Sequence, residues 1–330
     1  MGERLALLAY GIGWRIVRFL PARAAYLIFS VLAQFAWLRQ GRGVRQLEAN
    51  LSRVIPDASA MRLKALSRRA MHSYLRYWCD LFRLPDWTPQ YIQATCRAEG
   101  DEPVRQALAD GRGVVMALSH SGNWDHAGAW SSLAMAPVTT VAERLRPEEL
   151  YQRFLHFRTK LGMEILPLTG GGDVFGLLVR RLRKGGFVPL LADRDLTATG
   201  VPVTFFGETA RMAAGPASLA LVSGAALFPV TIRYERLPAE APARWGTVVH
   251  FYPEVVPAAE GSRPEKIAAM TQACADALAL GIAANPEDWH MLQRVFVADW
   301  VEMPGEDPGN GRGPGPDVPR ARGAGRPTRR

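Results

Sequence analysis

Short apolar runs of strand length alternate with helical runs from residue 114 onward, and this alternation most constrains the fold. Helical patterns lie between several strands, at about 124–134, 147–161, 172–184 and 214–224, and a last helix follows at about 264–283. Strands that alternate with helices are typical of a mostly parallel central sheet flanked by helices. We therefore predict an α/β fold, with strands at 114–118, 137–142, 164–167, 187–191, 203–206, 226–234 and 247–252.

The N-terminal region, residues 1–85, reads as helical. Two helices broken at Pro21 are followed by one at 44–54 and by a long one that Asp57 or Ser59 can cap and that Pro85 ends. Residues 1–47 contain seven Arg and one acid among large apolar side chains, and their longest uncharged run has 15 residues. A membrane span needs roughly 20.

This N-terminal pattern has two compatible interpretations. Amphipathic helices could lie in a bilayer interface with Arg reaching anionic headgroups, or they could form a helical hairpin packed on the domain. We expect N-terminal amphipathic membrane-surface helices at 1–85, an α/β core at 86–303 that opens with a polar link through 112, and a tail at 304–330. The tail is Gly, Pro and Arg with almost nothing apolar, so we expect it to be disordered.

Charge and cysteine content narrow the function classes. The net charge is +9, and only four of the 40 basic residues are Lys. Arg forms bidentate contacts with phosphate and carboxylate that Lys does not, although codon composition could also explain the bias. No nucleic-acid motif is present. The three cysteines are scattered without metal or redox spacing, which favours structural thiols in a reducing compartment and no metal site.

The segment "HSGNWD" places titratable groups directly after the predicted strand 114–118. In a parallel sheet, functional groups collect at the carboxyl ends of strands. A carboxylate at Asp125 could accept an N–H from the His120 ring, leaving the other ring nitrogen to take a proton from a hydroxyl. Asn123 can cap the next helix or contact substrate. The simpler interpretation is a satisfied His and a capping Asp, and His126 inside the helix is a weaker competitor.

Charged residues also follow the next predicted strand. Glu143 and Arg144 stand just after 137–142 in "VAERL". Glu143 could accept sugar hydroxyls or orient an Arg, or the two could form a solvated ion pair. Arg158, in "HFRTKLG" on a helix, could reach a phosphate or the Glu143 carboxylate.

A further group follows the predicted strand 187–191 in "LLADRDL", where Asp193, Arg194 and Asp195 stand together. Arg194 could bind phosphate. Arg211 stands just before a helix that begins with small residues, and exposed N–H groups at such a start favour an anion. Close packing on the sheet would require the same small residues. Late in the chain, Trp289 and His290 are interpreted as core or groove wall.

Five blocks in order resemble a known family. "HSGNWD" has the His-x-x-x-x-Asp spacing of glycerophosphate and lysophospholipid acyltransferases. Over roughly residues 1–300 the chain resembles the lipid A biosynthesis acyltransferase family, most closely its actinobacterial branch. The blocks are "RQLEANLSRVIPDAS", "HSGNWDHAGAW", "VAERL", "LLADRDLTATGVPVTFFGETARMAAGPASLA" and "PEDWHMLQRVF".

The resemblance implies a glycerol-3-phosphate acyltransferase-like fold and transfer of a long acyl group, usually palmitoyl, from acyl-CoA. In that branch the acceptor is a mannose hydroxyl of phosphatidylinositol mannosides at the cytoplasmic face of the plasma membrane. It further implies that His120 is the general base, that Asp125 orients it, and that Asp193 or Asp195 lies near the ring. We expect no cofactor besides the donor substrate, no metal and a monomer.

Three other functions stay open at this point. The same scaffold could acylate a lipid A-type or other glycolipid acceptor. A His–Asp pair could instead activate water, which would make the protein an acyl-CoA thioesterase. A non-catalytic membrane or nucleic-acid binder would also fit the positive charge.

Overall fold

A five-stranded sheet forms the centre of the protein in a computed structural model that describes residues 17–142, 152, 155–156, 158–167, 173–195 and 200–301. Its strand order is β1-β9-β8-β2-β5. All neighbours are parallel except β8 and β9, so the prediction of a mostly parallel sheet is confirmed. The strands are β1 (Cys96–Glu99), β2 (Val114–Leu118), β5 (Phe187–Leu191), β8 (Ala226–Arg236) and β9 (Trp245–Phe251).

Two small strand pairs complete the β-structure of the described residues. β3 (Thr139–Ala142) and β4 (Glu164–Pro167) are parallel, whereas β6 (Val201–Phe205) and β7 (Glu208–Met212) form an antiparallel hairpin. β7 was not predicted. Its two-residue turn has positive φ at both Phe206 and Gly207, but "FG" lacks the Asn-Gly or Asp-Gly signature of such turns.

The predicted helices that lie within the described residues are observed, whereas most of the one before Pro21 and of the one at 147–161 lies outside those residues. The exception is the region called a polar link, residues 86–112. That prediction is wrong, because the region contains two helices and β1. Thr88 caps the first of them and Pro89 occupies its first turn, a start signal that the polar composition obscured. The helices are α1 (Ala22–Leu38), α2 (Arg42–Val54), α3 (Ala60–Arg83), α4 (Pro89–Thr95), α5 (Glu102–Ala109), α6 (Trp124–Ala134), α7 (Val174–Leu182), α8 (Gly215–Ser223), α9 (Arg263–Ala284) and α10 (Ala298–Val301).

Both faces of the sheet are covered by helices. On one face Tyr77 and Leu81 of α3 share a core with Met116 and Phe228. On the other face α8 and α9 pack on the sheet around Val115. Each fully buried apolar side chain stabilises the folded state by about 1.5–3 kcal/mol. These two layers therefore hold in place the sheet edge that carries the site described below.

The long helix α9 is apolar throughout much of its length. By length and composition alone it could cross a membrane, the one helix among the described residues for which this holds. It packs on β6 and β8, and Met270, Cys274 and Leu278 are buried there. These contacts are those of a core helix. The thiols of Cys79, Cys96 and Cys274 are all buried and unbonded, as structural thiols would be.

Helix α1 contacts the rest of the protein with one side only. Ala25, Phe29 and Ala33 are buried, and Ala25 and Phe29 share a small core with Cys79 of α3. The outward side is apolar as well, so α1 does not present the separate charged face predicted for an amphipathic helix. Its exposed apolar residues are Leu27, Ile28, Val31, Leu32, Phe35 and Leu38. Residues 1–16 and the predicted tail 304–330 lie outside the described residues.

Candidate active site

His120 and Asp193 face each other at the carboxyl edge of the sheet. His120 stands two residues after Leu118, and Asp193 stands two residues after Leu191. Leu118 and Leu191 are direct partners in the parallel pair β2–β5, so the chain leaves both strands side by side. His120 Nδ1 lies 2.5 Å from Asp193 Oδ1. The backbone N–H of His120 also donates to Asp193 Oδ2 at 2.8 Å.

The carboxylate of Asp193 is fully buried and fully bonded. Trp289 donates its indole N–H to Asp193 Oδ2 at 2.9 Å. Burial would raise the pKa of Asp193, but the facing His120 and the donated hydrogen bonds outweigh it, so this pKa lies below its usual value. The carboxyl is therefore ionised at neutral pH and holds the proton of the neutral imidazole on Nδ1.

The other ring nitrogen of His120, Nε2, has no hydrogen-bond partner within the described part of the chain. The side chain is 18% exposed, against 0% for Asp193. A substrate hydroxyl can therefore approach the ring while the carboxylate stays sealed from water. This is the arrangement of a general base with a buried orienting acid.

Asp125 does not orient His120, and the pairing predicted from the sequence spacing is wrong. Its carboxylate accepts the Tyr77 hydroxyl at 2.9 Å and two bonds from Arg158, at 2.7 Å from Nε and 3.2 Å from Nη2. The reason is that α6 begins at Trp124, so Asp125 already lies on a helical turn directed at α3. The sheet neighbour β5 supplies the acid instead.

Asn123 is fully buried and caps α6. Its Oδ1 accepts the backbone N–H of His126 at 2.9 Å, as the sequence predicts. Its Nδ2 donates to Asp80 at 3.2 Å. Because both ends of the amide are bonded inside the protein, Asn123 has a capping role in place of the substrate contact also predicted for it.

His126 is buried between Thr95 and Thr247, whose hydroxyls lie 3.3 and 3.0 Å from its ring nitrogens. Burial lowers the pKa of His126 to about 4, so the ring is neutral and inaccessible. The turn before it depends on Gly122, which has φ +57°. A Cβ there would lie 2.7 Å from the carbonyl oxygen of Ile232. Close approach to β8 therefore requires a glycine at this position.

Of the two acids after β5, Asp193 is the one that faces His120. Asp195 is partly exposed, and its backbone N–H donates to the carbonyl of Arg211 at 2.8 Å. Arg194 is also partly exposed. Arg211 lies in β7, with its guanidinium carbon 5.6 Å from the ring centre of Trp300. Contacts of Arg194 and Arg211 with phosphate stay predictions.

Arg158 is paired with Asp125, a partner that the sequence analysis did not suggest. Its predicted contact with phosphate is not tested by this pairing. The two predicted residues Glu143 and Arg144 lie outside the described residues. Their proposed contacts with sugar hydroxyls therefore stay predictions as well.

The segment 288–290 holds the turn that carries His120 in place through backbone hydrogen bonds. This role was not predicted from the sequence. Gly122 N–H donates to the carbonyl of Asp288 at 2.9 Å, and His290 N–H donates to the carbonyl of His120 at 2.8 Å. Trp289 is completely buried and contacts Asp193 as described. A buried indole N–H requires an acceptor, so a tryptophan interpreted as core was the sequence signal for a polar partner nearby. Burial lowers the pKa of His290 to about 3, so this ring is neutral.

A small apolar cavity lies between the central sheet and helices α8 and α9. Ala117 of β2 and Ala192, which directly precedes Asp193, form one wall. Pro216 and Ala217 of α8 and Cys274 of α9 line it as well. The small residues at the start of α8 thus border an apolar space. The described residues contain no cluster of three or more His, Cys, Asp or Glu suited to a metal ion, and the expectation that none is needed stays a prediction.

Comparisons with known proteins identify the family to which the chain is related. Residues 3–297 match the family described as bacterial lipid A biosynthesis acyltransferase. A phosphatidylinositol mannoside acyltransferase of Mycolicibacterium smegmatis is 44% identical over 300 residues, which cover 91% of this chain and 94% of that protein. Proteins of the same name from two strains of Mycobacterium tuberculosis are 44% identical over 297 residues, 89% of each chain. The resemblance inferred from the five sequence blocks is confirmed.

Proposed function

The chain belongs to the bacterial lipid A biosynthesis acyltransferase family, and on that premise we propose that it transfers a long-chain acyl group, palmitoyl, from acyl-CoA to a mannose hydroxyl of phosphatidylinositol mannosides. The observation that carries the proposal is the accessible His120 ring held by the buried carboxylate of Asp193. The names of the relatives support the acceptor.

The proposed reaction needs one proton acceptor and no covalent enzyme intermediate. Nε2 of His120 takes the proton of the mannose hydroxyl while the sugar oxygen attacks the thioester carbonyl. The new C–O bond forms, the C–S bond breaks, and the imidazolium returns the proton to the leaving CoA thiolate. Asp193 keeps the Nδ1 proton in place and stabilises the imidazolium in between.

The side chains next to His120 support direct transfer. Ser119 and Ser121 flank it in the sequence, but both are buried and their hydroxyls are bonded to each other at 2.5 Å. Ser121 Oγ also accepts the backbone N–H of Ile232. Neither hydroxyl is placed to act as an acylated nucleophile, so the acceptor hydroxyl itself is the attacking group.

The surroundings of the pair provide places for both substrates in this proposal. Apolar residues around Ala192 are the proposed contacts for the first carbons of the acyl chain. Arg194 and Arg211 are the proposed contacts for CoA or inositol phosphate, because guanidinium groups bind phosphate in bidentate fashion. Glu143 and Arg144 are proposed to contact the sugar.

We further propose that the protein acts as a peripheral monomer at the cytoplasmic face of the plasma membrane. The outward side of α1 supports this. Leu27, Val31 and Leu38 are each at least 60% exposed, and contiguous exposed apolar patches mark interaction sites. Insertion of these side chains into the interface would bring the catalytic edge to a lipid acceptor.

The test is a transfer assay with the purified full chain, palmitoyl-CoA and a defined mannosylated phosphatidylinositol, with products analysed by mass spectrometry. We expect acceptor-dependent release of CoA and one added palmitoyl group on a mannose. His120→Ala should abolish transfer while the circular dichroism spectrum is retained. A lipid A-type acceptor is assayed in parallel, and preference for it would overturn the proposed acceptor. Acyl release that ignores every acceptor would instead identify a thioesterase.

A further inference from the structure

Two arginine side chains lie against one tryptophan at the end of the β8–β9 hairpin. The guanidinium carbons of Arg76 and Arg236 lie 3.8 and 4.0 Å from the ring centre of Trp245. Arg76 also lies 4.7 Å from the ring centre of Tyr234. Arg244 directly precedes Trp245 in the sequence. We call Arg76, Arg236 and Arg244 the hairpin arginines.

The hairpin arginines repel one another. Partial burial and the charges of Arg244 and Arg76 lower the pKa of Arg236 below its ordinary value. Among the described residues, none of the three forms an ion pair with an acid. The contrast with nearby Arg97 is clear, because Arg97 binds both Glu99 and Glu235. The charge of Arg76 favours the ionised forms of the buried Asp80 and Asp288, whereas no ion pair with an acid is formed by Arg236 or Arg244 among the described residues. The positive charge concentrated at this exposed end of the cluster is suited to an external anion.

The position of the hairpin arginines relates them to the site and to α1. Leu118 of β2 pairs with Val230 of β8, and β8 continues from there to Arg236, about 20 Å at the rise of a strand. The hairpin therefore projects from the same edge of the sheet that carries His120. Asp80 accepts hydrogen bonds from both Tyr26 of α1 and Tyr234, so the cluster lies next to α1.

We propose that the hairpin arginines bind the phosphate of an anionic phospholipid in the membrane on which the enzyme acts. Guanidinium groups bind phosphate oxygens in bidentate fashion, and Trp is favoured at the level of lipid headgroups. This site would hold the catalytic edge toward the bilayer beside the apolar side of α1. The inference rests on the proposed function, since it assumes a lipid acceptor in a membrane.

The experiment measures vesicle binding by sedimentation, with phosphatidylcholine vesicles that contain or lack phosphatidylinositol. The test variant, called the hairpin variant, carries both Arg236→Gln and Arg244→Gln, since both of these side chains are exposed. Each arginine near an anionic surface changes affinity about fivefold, so we expect a loss of roughly 25-fold on the anionic vesicles only. The matched control is Arg180→Gln with Arg263→Gln, exposed arginines of α7 and α9 that change the net charge equally.

The outcomes separate a specific site from general attraction and from other phosphates. An equal loss in both double variants, or no loss in the hairpin variant, would overturn the proposal. Titration with inorganic phosphate and with CoA at matched ionic strength forms a second arm. If the hairpin variant loses affinity for CoA but binds vesicles normally, the site serves the donor and the lipid assignment is wrong.

Turnover measured in neutral detergent micelles distinguishes a failure of this inference from a failure of the proposed function. The hairpin variant should retain wild-type turnover there, because the detergent surface is neutral and the acceptor reaches His120 without docking of the enzyme on a membrane. Absence of transfer by the wild-type protein would contradict the proposed function whatever the vesicles show. Loss of turnover in micelles by the hairpin variant would overturn the docking role.

Discussion

The two sides of the turn between β2 and α6 carry similar residues in very different environments. On one side His120 is partly exposed and faces the buried Asp193. On the other side Asp125 and His126 are buried, the first bonded to Tyr77 and Arg158, the second held between two threonines. Closeness in sequence therefore did not decide which acid pairs with the histidine. Adjacency of β2 and β5 in the sheet did.

The carboxylates of Asp193 and Asp125 therefore differ in the reactions they can assist. Asp193 faces an imidazole, which can gain and lose a proton during a reaction. Asp125 faces a guanidinium, which stays charged throughout. One carboxylate can therefore assist a proton transfer, whereas the other is part of a permanent ion pair. Five substitutions, of which Asp195→Asn is a control, test the contrasts between the two sides of the turn.

The largest effect is expected for Asp193→Asn. An amide can no longer hold the Nδ1 proton of His120 or stabilise the imidazolium, so kcat should fall about 10³–10⁴-fold with little change in KM. Steady-state transfer kinetics measure this. Asp195→Asn, two residues along and partly exposed, is the matched control and should lose less than about tenfold. Equal losses in the two variants would contradict the assignment of the orienting acid.

For Asp125→Asn we expect the main effect on stability. The substitution removes the charge of a buried carboxylate that accepts two hydrogen bonds from Arg158 and one from Tyr77, and breaking a mostly buried ion pair costs about 3 kcal/mol of the free energy of unfolding. Urea denaturation measures it. The loss in kcat should be well below that of Asp193→Asn. A larger kcat loss than for Asp193→Asn, in a stably folded variant, would restore Asp125 as the functional partner of His120.

The pH dependence of stability tests the contrast between His120 and His126. The pKa of His126 is lowered from 6.5 to about 4 by burial, so between these values the unfolded chain binds a proton that the folded protein does not. Stability therefore falls as the pH drops, by about 2 kcal/mol for this residue between pH 7 and pH 5.

Unfolding by urea at these two pH values, for wild type and His126→Gln, isolates this contribution. His290 has the same sign, whereas Asp288, whose pKa burial raises to about 6, has the opposite sign. The difference between the variants cancels both. If the free energy of unfolding of His126→Gln changed with pH as steeply as that of the wild type, His126 would not be the buried neutral ring described.

The smallest effect is expected for Trp289→Phe. It removes one hydrogen bond to Asp193 and keeps an aromatic ring, which should lower kcat about tenfold. Combined with Asp193→Asn it should cause little further loss, because the indole acts through that carboxylate. Fully multiplicative effects in the double variant would show that Trp289 acts by another route.

The sequence was sufficient where local patterns decide the structure. Strands 114–118, 164–167 and 187–191 were predicted with their observed bounds, because short apolar runs between polar segments mark buried parallel strands. Asn123 was predicted as a helix cap for a similarly local reason. The predicted link at 86–112 failed because short elements with few apolar residues carry a weak periodic signal.

For the site, local patterns were enough to predict that a histidine follows a buried strand, that acids follow two later strands, and which family the chain resembles. Three contacts became known from the three-dimensional arrangement alone: Asp193 faces His120, Trp289 donates to that acid, and Arg76 contacts the distant hairpin at Trp245. The physical reason is that strand order and helix direction juxtapose residues far apart in the chain. Side-chain spacing carries no information about those contacts.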